Sequence, residues 1–163
     1  MPDESGTGKV VRWLEASLGG KVVHVEPQAR WRPVWFADLE REGETLRLCV
    51  RGDRIDARHG FPLEHEMKLQ ELLYERGIPV ARVHGWCDEP RAYVMDRVPG
   101  RPDFADASDE ERDAVMDHYM EILARIHQLD IDPFVEAGIL RAERPEDSGR
   151  IGMQVYELSL IHI

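Results

Sequence analysis

Residues 46–77 read LRLCVRGDRIDARHGFPLEHEMKLQELLYERG, and this stretch decides the fold. Leu46, Leu48 and Val50 alternate with Arg47, Cys49 and Arg51, the pattern of a half-buried β-strand. A turn-rich link with Gly52, Gly60 and Pro62 follows. The spacing then predicts a helix from about Leu63 to Arg76, stopped by Gly77 and Pro79. Leu63, Glu66, Met67, Leu69 and Leu73 recur at helical intervals, so Glu66 falls on or beside the apolar stripe. A carboxylate there is costly unless it is paired. Arg51, leaving the preceding strand, is the candidate partner. A purely structural ion pair, or two unrelated surface charges, would account for the same two residues.

Upstream, Val10–Leu18 reads as a short amphipathic helix ended by Gly19-Gly20, and residues 1–9 as disordered. GTGK at 6–9 is not a P-loop, because Asp3 stands where that motif needs Gly and Val10 where it needs Ser or Thr. Val22–Val25 and Val34–Leu39 read as strands, and Glu42-Gly43 as a hairpin turn into the strand at Leu46. Downstream, Val80–Trp86 and Ala92–Val98 read as strands joined by a turn at Asp88-Glu89-Pro90. The fold class is α+β: five short strands in an antiparallel sheet, with one helix inserted between the third and fourth. Pro99–Ala107 is a connector rich in Pro, Gly and Asp. Ser108 and Glu111 form a capping box for a long helix to about Leu129. Its stripe Val115, Tyr119, Ile122, Leu123 and Ile126 is expected to be only partly buried. Arg141–Arg150 reads as a charged loop, and the chain closes on the apolar run Tyr156–Ile163.

Composition narrows the function classes. With 163 residues and 42% apolar content, the chain suits a domain with a modest core. A net charge of −11 argues against nucleic acid or an anionic membrane as partner. Cys49 and Cys87 are the two cysteines, which fits a reduced, cytoplasmic protein better than a disulfide scaffold. No apolar run approaches membrane-spanning length. The seven histidines show no accepted zinc spacing, so no metal ligands are assigned.

The segments LRLCVR, LEHEMKLQELLYERGIPVARV, AYVMDRVPG and LARIHQLD, in that order, resemble the aminoglycoside phosphotransferase family over about Gly19–Asp130. That resemblance implies a kinase-like N-terminal lobe over residues 10–98, an inter-lobe connector over 99–107 and the start of a helical C-terminal lobe over 108–163. It implies ATP or GTP with magnesium as cofactors, and phosphoryl transfer to a hydroxyl of an unknown small-molecule acceptor. It implies that Arg51 contacts the nucleotide phosphates and that Glu66 orients it. It also implies that the Asp96 carbonyl and the Val98 N–H read the purine edge, with Met95 lining the back of the pocket.

Two features depart from the family pattern. The loop Pro27–Pro33 carries Arg30 and Arg32 but no glycine, where kinase-like folds lay a glycine-rich loop over the phosphates. The chain has no asparagine, no His-Gly-Asp and no Asp-Phe-Gly, so no catalytic residue is assigned. The expectation is a nucleotide-binding N-terminal portion, inactive as this fragment, with magnesium ligands and catalytic loop in a missing part of the enzyme. The alternative is a non-catalytic nucleotide-binding or scaffold module built on the same lobe.

Overall fold

The computed structural model describes residues 6–28, 30, 32–53, 62–101 and 103–139. In chain order it contains α1 (Gly6–Leu18), β1 (Lys21–Gln28), β2 (Val34–Arg41), β3 (Glu44–Gly52), α2 (Leu63–Glu75), β4 (Val83–Asp88), β5 (Arg91–Asp96), α3 (Asp109–His127) and α4 (Asp132–Glu136). The strands form one antiparallel sheet in the order β1-β2-β3-β5-β4. The five strands, the helix inserted after the third, and the α+β class stand as the sequence predicts. The Gly60 turn, the charged segment 141–150 and the apolar ending 156–163 lie outside the described residues.

Strand alternation gives the sheet two faces. One is apolar: Trp35, Ala37 and Leu39 of β2, Leu48 and Val50 of β3, Ala92 and Val94 of β5, and Cys87 of β4 pack against Val10 and Leu14 of α1. This is the main core. Gly85 of β4 sits at a register shift with φ near +148°, and a Cβ there would stand 3.3 Å from the Trp13 ring of α1. The missing side chain is what lets the indole lie on the strand. The other face carries Phe36 and Asp38 of β2, Cys49 and Arg51 of β3, and Tyr93 and Met95 of β5. It faces α2 and solvent, and it holds the polar chemistry.

α2 ends as the sequence requires. Gly77 adopts φ +72°, its N–H donates to the Tyr74 carbonyl, and the Ile78 N–H donates to the Leu73 carbonyl. That pair of bonds is a Schellman cap, and Ile78 is buried beneath it. α3 opens with the expected capping box: the Ser108 hydroxyl accepts from the Glu111 N–H, and the Glu111 carboxylate accepts from the Ser108 N–H. Its stripe is poorly covered, with Val115, Tyr119 and Ile126 exposed and Ile122 and Leu123 half-buried.

Several boundaries differ from the sequence reading: β1 runs on to Gln28, so Pro27 and Gln28 belong to the strand and not to the loop, and β5 ends at Asp96 rather than Val98. α1 starts at Gly6 rather than Val10, so residues expected to be disordered form its first turn. The cause is tertiary: the Trp35 indole N–H donates to the Thr7 hydroxyl at 3.0 Å and holds that turn to the sheet. β4 starts at Val83 rather than Val80, because the Val80 N–H is turned back onto the Ile78 carbonyl. Beyond the long helix a short α4 forms that the sequence reading does not contain; Pro133 suits its first turn, where no N–H partner is needed.

The turn from α1 to β1 supplies a stability test. Gly19 and Gly20 both have positive φ, but a Cβ on Gly20 would lie 2.2 Å from the Glu40 carbonyl oxygen, whereas one on Gly19 meets nothing closer than 3.8 Å. Gly20→Ala is expected to destabilise by about 3 kcal/mol and Gly19→Ala by about 1 kcal/mol. Chemical denaturation of the two variants beside the parent checks this; equal midpoints would show that the backbone shifts freely there.

Candidate nucleotide-side site

The Glu66 carboxylate is the centre of the polar face. Oε2 accepts from the Arg51 Nε at 3.0 Å, and Oε1 meets an Arg32 terminal nitrogen at 3.1 Å. Each oxygen thus has its own guanidinium. Arg51 stands next to last on β3 and pairs across to Val34 on β2 and Tyr93 on β5. Arg32 lies two residues before Val34, so the chain entering β2 runs beside Arg51. Its approach is fixed by the Gly52 N–H, which donates to the Pro33 carbonyl at 2.8 Å. Glycine suits this close approach, since a Cβ on Gly52 would stand 3.0 Å from the Pro33 side chain and crowd it. Arg32 is only 5% exposed, and among the described residues it is the one charged residue that is buried.

The Arg51–Glu66 pairing expected from the sequence is therefore present. The Arg32 contact was not read as a pairing with Glu66: a loop without periodicity gives no sign of which of its cations turns inward. Arg51 uses only Nε on Glu66. Among the described residues nothing in the chain bonds its two terminal nitrogens, and its side chain is 30% exposed.

One turn further along α2, Gln70 makes a second anchor. Its amide N–H₂ donates to the Ala81 carbonyl at 2.7 Å and approaches the Met95 sulfur at 3.3 Å, while its carbonyl accepts from the Tyr93 hydroxyl at 3.3 Å. At the start of the helix, Arg91 pairs with Glu64 and, at 3.5 Å, with Asp53. α2 is thus tied to the sheet at three levels. Burial pushes the Tyr93 phenol up to about 12 against the opposing pull of Arg51, with the Glu66 charge adding to the rise, so the hydroxyl stays protonated as a donor.

Of the linker residues, Met95 falls on this side, while Asp96 pairs across to Leu48 of the apolar face. The row Phe36–Cys49–Met95 runs across β2, β3 and β5 immediately beside the row Val34–Arg51–Tyr93. Burial raises the Cys49 thiol despite the pull of Arg51, Arg30 and Arg97, which leaves it neutral at physiological pH. The N–H groups of Asp96 and Arg97 are spent inside the sheet, on the Arg82 and Arg47 carbonyls, both at 2.9 Å. Val98 comes next, is 69% exposed, and its N–H has no partner among the described residues. Two side-chain contacts here had no counterpart in the sequence reading. His84 bonds the Asp96 carboxylate at 2.6 Å, and Arg97 pairs with Asp38 at 2.7 Å while lying 5.5 Å from the centre of the Phe36 ring. Among the described residues no group of three or more His, Cys, Asp or Glu could hold a metal ion.

Residues 26–158 match the model of the phosphotransferase enzyme family. The chain belongs to that family. This agrees with the resemblance to aminoglycoside phosphotransferases carried by the sequence segments, and with a sheet and inserted helix of the kinase-like N-terminal lobe. Acyl-CoA dehydrogenase family member 11 of Mus musculus is 32% identical over 108 residues, which is 61% of this chain and 14% of that protein. The chain therefore spans a small part of the length of that relative. No solved structure gives a significant match. Among the described residues no helix is long and apolar enough to cross a membrane.

The Tyr93 phenol gives this site a pH signature. An unfolded chain releases that proton near pH 10, whereas the fold holds it to about 12. Stability is therefore unchanged by this group below pH 10 and falls as pH rises from 10 towards 12, by up to about 2 kcal/mol. Thermal unfolding of the parent and Tyr93→Phe across pH 8–11.5 checks this; the variant is expected to lose less of its stability over the alkaline limb.

Proposed function

We propose that this chain is the nucleotide-binding portion of a small-molecule phosphotransferase, binding ATP or GTP on the polar face of the sheet. One observation carries the reading: Arg51 is fixed through Nε, with both terminal nitrogens left over and partly exposed. A cation held in place by a carboxylate and presenting two parallel donors suits phosphate oxygens. It also gives a reason for arginine where a lysine would divide one ammonium between carboxylate and phosphate. The free Val98 N–H, just past two N–H groups already spent, supports purine readout along the linker, with Met95 and Cys49 lining the floor. Asp96 joins through its carbonyl and, by its bond to His84, is held still.

Bound ATP or GTP would supply the γ-phosphoryl group that a hydroxyl accepts. The acceptor is a small molecule of unassigned chemistry. Magnesium needs only one or two carboxylates beside the phosphates and water, but Glu66 does not fit that role, since both its oxygens are engaged by arginines. The 163 residues contain no asparagine and no His-Gly-Asp, so we assign no residue to activating the acceptor, and turnover by this chain alone is not part of the proposal. The dehydrogenase name of the mouse relative is not carried over, because this chain meets only 14% of that protein.

Calorimetric titration with ATP and GTP, each with magnesium, tests the reading. The chain is expected to bind at least one of them, and Arg51→Ala to weaken binding at least about tenfold, the worth of one lost charge-assisted contact. Arg51→Lys is expected to recover only part of that loss. A parallel phosphate-release assay with a panel of hydroxyl acceptors is expected to stay at background. Equal affinity of parent and Arg51→Ala would remove Arg51 from the site, and turnover lost in Arg51→Ala would show a catalytic apparatus within the chain.

A further inference from the structure

We propose that Arg32 is a positioning residue for Arg51: by holding the second oxygen of Glu66 it keeps the terminal nitrogens of Arg51 available to phosphate. This rests on the nucleotide reading above and deepens it. The geometry is that of a shared carboxylate. Arg51 Nε takes Oε2 at 3.0 Å and Arg32 takes Oε1 at 3.1 Å. A carboxylate with both oxygens accessible to one guanidinium tends to form a bidentate pair with it. In that arrangement a terminal nitrogen of Arg51 would be drawn onto Glu66 and away from a ligand. Arg32 blocks this by occupying Oε1.

The placement of Arg32 suits a positioning role better than a direct one. Its side chain is 6% exposed, whereas that of Arg51 is 30% exposed. Pro33 anchors the adjoining backbone to Gly52, so Arg32 enters the site from a fixed point. The three side chains together carry one net positive charge. Glu66 therefore stays compensated whether or not Arg51 is also engaged by a phosphate, and no buried carboxylate is left alone at any stage of binding. The loop that elsewhere would present glycine N–H groups to phosphate here contributes a buried cation acting through its neighbour.

The test is a cycle of variants titrated with inorganic tripolyphosphate and with magnesium nucleotide. Arg32→Met keeps the bulk and removes the charge; it is expected to weaken tripolyphosphate binding about tenfold, the size of one coupled charge contact. Adding Glu66→Gln to Arg32→Met is expected to restore most of the loss, because the amide no longer competes for Arg51. A residue serving only the fold would give a double variant no better than the single one. A direct phosphate ligand would give a loss that Glu66→Gln leaves in place. Arg32→Lys, which preserves the charge, is expected to remain within about threefold of the parent; it provides the comparison if Arg32→Met unfolds. No loss in Arg32→Met, no recovery in the double variant, or a loss in Arg32→Lys as large as in Arg32→Met overturns the proposal. If the parent binds tripolyphosphate but neither nucleotide, and the cycle behaves as described, the positioning role stands and the nucleotide reading falls. If the parent binds neither probe, both fall.

Discussion

One carboxylate organises the polar half of this molecule. Glu66 lies on a helix face that should be apolar, and only pairing makes that position tolerable. Its two oxygens draw together three separate parts of the chain: the segment entering β2, the end of β3, and α2. None of those parts is brought to the others by apolar packing alone. Of α2, only Leu63 is fully buried. Without the carboxylate, two guanidiniums would face one another in a half-buried space, and the helix would lose its central tie to the sheet.

The tie works because the sheet beneath is rigid for a different reason. Its opposite face is a dry layer of Ala, Val, Leu and Trp closed by α1, so the strands keep their register regardless of events on the polar face. Register in turn fixes the rows: Phe36, Cys49 and Met95 in one, Val34, Arg51 and Tyr93 in the next. Neighbouring rows of one face are about 7 Å apart along a strand, two residues' rise. Helix α2 adds direction, with Glu66 and Gln70 one turn apart reaching Arg51 and Tyr93, which pair across neighbouring strands. Distance between Met95 and Arg51 is therefore a property of β-sheet geometry, and the orientation of the Arg51 guanidinium a property of the helix.

Some of this was legible in the sequence and some was not, for separable reasons. The alternation at Leu46–Arg51 and the charge on the apolar stripe at Glu66 are periodic signals, and periodicity survives into structure. The stop at Gly77 was legible because a left-handed cap leaves few residue choices. Arg32 was not legible as a partner of Glu66, since Arg30 and Arg32 sit in a loop whose chemistry is the same whichever turns inward. The first turn of α1 ran against local preference, with Gly6 and Gly8 poor helix formers, and a long-range bond from Trp35 to Thr7 decided it. Gln70 escaped notice for a similar reason: an uncharged amide on a helix carries no cost signal, although here it bonds the Ala81 carbonyl and Tyr93. The roles of Met95, Asp96 and Val98 came from resemblance alone; the structure adds that Val98 has the first unspent N–H after β5.

Overall charge and the charge of the polar face oppose one another in this chain. The chain carries a net charge of −11, yet the polar face gathers Arg32, Arg51 and Arg97, with Arg30 near enough to act on the Cys49 thiol. Against them stand Glu66 and Asp38, each already paired. Exposed charges farther away than about 8–10 Å are largely screened at physiological salt, so the acidic first turn of α3 contributes little at Arg51 unless it comes close. The guanidiniums of this face are partly shielded from water by the sheet, and their field is therefore less screened than that of a surface lysine. A net negative charge disfavours a long polyanion that must lie across much of a surface, whereas the short one proposed above touches only this face. Net charge and site charge thus answer different questions, and the small, multiply charged ligand proposed above depends on the second.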